Sequence, residues 1–131
     1  MTNQRSILVF VCEHGAAKSI LAAAYFNKLA RDRNLHLTAL ARGTLPDAEL
    51  SSKTVSGLLS DGLSPTESMP TKLTFEDMES AQQVIAFCIL PDEYSQRARV
   101  EYWDGVPPVS GDYERARDAI VAHLEELLDH L

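Results

Sequence analysis

The sequence predicts an α/β fold: three layers, with a four-stranded parallel sheet held between helices. Two observations carry this. Several short runs are apolar without alternation and rich in β-branched and aromatic residues, and stretches with helical spacing separate them. Strands that are apolar on both faces need helices above and below, and strands alternating with helices produce a parallel sheet of that kind.

The elements follow in order. Ser6 to Cys12 (SILVFVC) reads as a strand buried on both faces, and Ser19 to Arg33 as a helix with Leu21, Tyr25 and Leu29 four residues apart. Leu37 to Ala41 is a second short strand, closed by Gly43 and Pro46. Ser51 to Leu59 places Val55, Leu58 and Leu59 at helical spacing before Gly62 stops it. Thr74 and Asp77 form a capping-box start for a short helix, and Gln83 to Leu90 (QVIAFCIL) is a third apolar strand ended by Pro91. Val100 to Trp103 supplies a fourth. After the turn-rich DGVPPVSGD, a final helix starts at Asp112, with Ala116, Ile120, Leu124, Leu127 and Leu131 on one face. Residues 1–131 are the size of one domain.

Charge narrows the function. Twelve Lys and Arg against 19 Asp and Glu give a formal net charge of −7, which argues against a general role on nucleic acid or anionic membranes. The apolar run in MTNQRSILVFVCEH is short for a signal segment, and no stretch reaches membrane-spanning length, so a cytoplasmic location is expected. The two cysteines are expected as reduced thiols. Cys12 and His14 could both ligate a metal, but no second cluster completes a site, and no cofactor is expected.

The stretch FVCEHGAAKSIL (10–21) admits three readings. Ala17-Lys18-Ser19 stands where a Walker loop has Gly-Lys-Ser, but both glycines that loop requires are missing. A cysteine at a strand end is otherwise most simply a packed residue. Here, however, Gly15 and two alanines precede Lys18 and Ser19 at the start of a helix. Several backbone amides can then point inward at the positive end of the helix dipole. An amide nest, a helix N-terminus, a lysine and a serine hydroxyl all favour thiolate over thiol. The third reading therefore makes Cys12 a nucleophile in an oxyanion loop formed by Glu13, His14, Gly15, Ala16, Ala17, Lys18 and Ser19.

This strand-Cys-x5-basic-Ser-helix arrangement resembles the low-molecular-weight protein tyrosine phosphatases and the thioredoxin-coupled arsenate reductases, whose signature is Cys-x5-Arg-Ser. The resemblance runs along essentially the whole chain. It includes Ala41-Arg42-Gly43-Thr44 after the second strand, Pro91-Asp92-Glu93 after the third, and a Trp, a Pro-containing loop and a long closing helix. It implies the low-molecular-weight phosphatase fold and attack of a cysteine thiolate on phosphorus, followed by hydrolysis of the thiophosphate. It also implies a partner that is a phosphorylated small molecule, a phosphotyrosine protein or arsenate. His14 matches a histidine of some arsenate-reductase-like loops.

The chain departs from the family at three places. Lys18 replaces the signature arginine, exchanging a planar fork for a point charge; the lost charge-assisted hydrogen bond is worth about 1.5 to 3 kcal/mol, or roughly 10- to 150-fold in rate. Gly15 replaces an asparagine that braces the loop. In WDGVPPVSGD no aspartate precedes a proline, so Asp104 becomes the provisional general acid. Arg42 is a candidate accessory anion contact, set against a simple salt-bridging role. Cys88 is a candidate redox partner of Cys12 in an arsenate reductase, set against a buried strand residue. A phosphate-binding module without catalysis is the third possibility.

Overall fold

The computed structural model describes residues 6–131. Residues 1–5, the start of the segment MTNQRSILVFVCEH weighed above, lie outside them. In chain order the elements are β1 (Ile7–Cys12), α1 (Lys18–Asp32), β2 (Thr38–Gly43), α2 (Ser52–Ser60), α3 (Phe75–Ser80), β3 (Gln83–Ala86), α4 (Asp92–Ser95), β4 (Val100–Tyr102) and α5 (Tyr113–Asp129). The sheet order is β2-β1-β3-β4 with every pair parallel, as expected.

Period-two alternation along β1 divides the core. Leu8 and Phe10 face a large cluster with Ile20, Leu21, Phe26, Ile120 and Leu124, drawn from α1 and α5. Val9 and Val11 face the opposite side, where Met78 of α3, Leu73 and Leu90 close a smaller cluster. Helices therefore cover both faces. The chain leaves β1 for β2 on one side and later adds β3 on the other, so strand order reverses between β1 and β3. In parallel sheets a cleft opens at the carboxyl ends of the strands at that point.

Two expectations are corrected, and one short helix is added. The third strand stops at Ala86, not Leu90: Phe87 N–H donates the last rung to Val11 O at 2.8 Å, and the apolar run then turns outward until Ile89 is 86% exposed. An unbroken apolar run cannot show where it leaves the sheet. Immediately after it, Pro91 caps α4, whose four residues are too few to show a period. On α5 the buried stripe is Ala116, Ile120, Leu124 and Leu128; Leu131 lies beyond the helix end, exposed. The capping box at Thr74 and Asp77 forms as predicted.

One tie between helices was not anticipated. Asp61, just after α2, accepts hydrogen bonds from Tyr25 of α1 and from Tyr113 and Arg117 of α5. Burial alone would raise its pKa, but these donors hold the carboxyl below its ordinary range. Burial and the carboxylate together push the Tyr25 hydroxyl up to about 12. Gly57 makes room for this cluster, because a Cβ there would lie 2.3 Å from the Tyr113 ring.

Candidate active site

Residues 13–17 leave β1 and curl before entering α1. What shapes them is the segment after β2. Thr44 N–H donates to Cys12 O (3.3 Å), Leu45 to Glu13 O (2.7 Å), Asp47 to His14 O (3.0 Å) and Ser51 to Ala16 O (3.0 Å). These four carbonyls are thereby drawn to one side. The peptides are all trans, and in a trans peptide the N–H points opposite the carbonyl of the preceding residue. The N–H groups of Glu13, His14, Gly15 and Ala17 must therefore point away from residues 44–51. Among the described residues, no protein acceptor pairs with any N–H from Glu13 to Ser19. Ala17, the residue capping α1, provides no side-chain cap either, so the helix N-terminus stays open.

Glycine is required where this loop meets β2. Gly15 has φ +62°, and a Cβ on it would lie 3.0 Å from Gly43 Cα and N. A Cβ on Gly43 would lie 2.6 Å from Gly15 N. Only two glycines facing each other allow this approach.

The loop opens on a cleft of about 500 Å³ lined by Cys12, Glu13, His14, Lys18, Asp47, Ser51, Phe87, Cys88 and Pro108 to Ser110, among others. Cys12 is 8% exposed and forms part of its floor, with Sγ 3.0 Å from the hydroxyl of fully buried Ser19. Lys18 Nζ donates to Val106 O at 2.9 Å, which ties the loop before α5 to the start of α1 and leaves two ammonium protons for other acceptors. Phe87, packed on Phe10 and Trp103, contributes an apolar wall. At the mouth, His14 Nδ1 lies 3.2 Å from Asp47 Oδ1.

Cys88 lines the same cleft, two residues past the end of β3. Burial pushes its thiol pKa up, and the nearby Cys12 and Glu13 add to the effect. Two other sequence candidates lie elsewhere. Asp104 is exposed and does not line the cleft; Pro108 to Ser110 of its loop do. Arg42 turns away to Asp77 (3.0 Å), Glu67 (3.3 Å) and Ala41 O (2.9 Å), bracing the loop that follows α2 against α3. Asp47 and Ser51 were not read as site residues. Their only signal is their place after β2, at the carboxyl edge of the sheet. No group of three His, Cys, Asp or Glu suited to a metal ion occurs among the described residues. No helix there is long and apolar enough to cross a membrane.

No family model and no curated protein matches the chain. Solved structures do match. YfkJ from Bacillus subtilis superposes with a TM-score of 0.83 at 18% identity, over 99% of this chain and 96% of that one. A low-molecular-weight protein tyrosine phosphatase from T. tengcongensis gives 0.77 at 18% identity, over 95% and 99%. An arsenate reductase from Archaeoglobus fulgidus gives 0.70 at 20% identity, over 93% and 98%. The fold is that of the low-molecular-weight phosphatases and arsenate reductases.

Proposed function

We propose that the chain is a cysteine-dependent phosphatase acting on phosphomonoesters through a cysteinyl-phosphate intermediate. One observation supports this above the rest: the segment after β2 takes up the carbonyls of Cys12, Glu13, His14 and Ala16, leaving the opposed amides without a protein acceptor beside the cleft that Cys12 lines. Those amides and Lys18 clamp three phosphoryl oxygens, and the Ser19 hydroxyl donates to the thiolate. The thiolate attacks phosphorus in line and the leaving oxygen departs toward the mouth. Water then cleaves the S–P bond and returns the thiolate. Asp104 has no place in this scheme unless its loop moves.

A second reading is favoured by Cys12 and Cys88 lining one cleft. In an arsenate reductase Cys12 would carry the arsenic adduct. Attack by Cys88 on the Cys12 sulfur would release arsenite with two electrons and leave a disulfide, to be reset by an external dithiol.

The test is turnover of p-nitrophenyl phosphate with acid-quench trapping of phosphocysteine. Hydrolysis that is lost in Cys12→Ser and kept in Cys88→Ser supports the phosphatase. Arsenate-dependent oxidation of a dithiol that requires Cys88 supports the reductase. Vanadate binding with neither activity reduces the site to an anion-binding module.

A further inference from the structure

A phosphatase of this design needs a proton donor for the leaving oxygen, and Asp104 is outside the cleft. We propose that His14, held by Asp47, is that donor, an inference that rests on the phosphatase reading. In-line displacement fixes where the donor must be. With sulfur on the floor, the leaving oxygen lies on the far side of phosphorus, at the mouth. The His14 side chain is 58% exposed there, two residues from Cys12 and lining the same cleft.

Asp47 grips His14 at two points. Its backbone N–H donates to His14 O at 3.0 Å, and its carboxylate faces Nδ1 at 3.2 Å. This contact is within ion-pair distance and turns Nδ1 toward Asp47, which leaves Nε2 for the substrate. Glu13 Oε1 lies 3.9 Å from Nε2, beyond a hydrogen bond. Lys18, Cys12 and Cys88 are the other titratable groups of the cleft. Both carboxylates are more than half exposed, so these contacts add little stability; their effect is to orient the ring.

In the first step the Nε2–H bond breaks and an O–H bond forms on the leaving group, while S–P forms and P–O breaks. In the second, neutral Nε2 takes a proton from water as its oxygen bonds phosphorus and S–P breaks. The sum is ester plus water giving alcohol plus phosphate. Asp47 is a positioning residue.

The experiment compares phenyl phosphate, a poor leaving group, with 2,4-dinitrophenyl phosphate, which departs without protonation. His14→Asn should lose about 10²- to 10⁴-fold on the first and only a few-fold on the second. Vanadate affinity should be kept, which shows an intact fold and anion loop. Asp47→Asn should show the same leaving-group dependence with a smaller loss, Asp47→Glu should recover part of it, and added imidazole should restore phenyl phosphate turnover to His14→Gly. Equal losses on both esters, or no loss on phenyl phosphate, would overturn the assignment of His14. A wild-type protein that binds vanadate and hydrolyses neither ester overturns the phosphatase reading, and this inference falls with it.

Discussion

Gly43→Ala tests the junction on which the site is built. The new methyl carbon would lie 2.6 Å from Gly15 N, 2.8 Å from Gly15 Cα and 2.9 Å from His14 C, all backbone atoms that cannot rotate away. Relief requires separation by up to about 1 Å to reach normal carbon contact distances. The β2 side cannot yield easily. Gly43 N–H donates to Thr71 O, and Gly43 O accepts from Leu73, both at 2.9 Å, while its other neighbour is β1. The loop at residues 13–17 must move instead, stretching the bonds to Glu13 O and His14 O that set its amides. Overpacking of this kind costs about 1–3 kcal/mol. For a domain of this size that is roughly 3–15 °C in Tm. A shift of catalytic geometry near 1 Å costs about 10²-fold. Thermal unfolding and vanadate titration measure the two effects, and Gly105→Ala, with open space around the added carbon, is the neutral control. A Gly43→Ala protein with unchanged vanadate affinity would show that the glycine contact does not hold the loop.

Asp61→Asn should destabilise the fold by about 2–3 kcal/mol at pH 7, because three donors lose a charged acceptor in a largely shielded site. Since the folded carboxyl titrates below its unfolded value, this stability is present above the ordinary carboxylate range and is lost as pH falls through the lowered value. Urea unfolding at pH 7 and near pH 3 should show the wild-type advantage shrinking in acid; an advantage constant with pH would contradict the role of charge. Lys18→Met removes a cation from the cleft and the bond to Val106, and vanadate binding by calorimetry should weaken about 10- to 150-fold, whereas Lys18→Arg should bind at least as well as wild type. Undiminished binding by Lys18→Met would mean the lysine serves only to anchor the loop.

Much of the fold could be read from residue pattern alone. The β1 run SILVFVC is apolar on both faces because helices cover both faces, and Ser51, Thr74 and Asp112 cap helices where their side chains can accept the first free amides. The reading failed where pattern and path separate. QVIAFCIL is apolar as a strand through Ala86 and then as cleft wall and exposed tip, so Cys88 lies beyond the strand, not within it. Within the site, Cys12, Lys18 and Ser19 were legible because adjacency in sequence places them together at a helix start. Asp47 was not, since its approach to His14 depends on how residues 44–51 run beside residues 12–16. Arg42 illustrates the reverse: a cation near the site in sequence, yet held elsewhere by Asp77 and Glu67.

The most direct measurement is a crystal structure with bound tungstate. The account predicts a tetrahedral oxyanion above Cys12 Sγ, with its oxygens within hydrogen-bond distance of the N–H groups between Glu13 and Ser19. Tungstate bound elsewhere, with those amides turned to other acceptors, would contradict it.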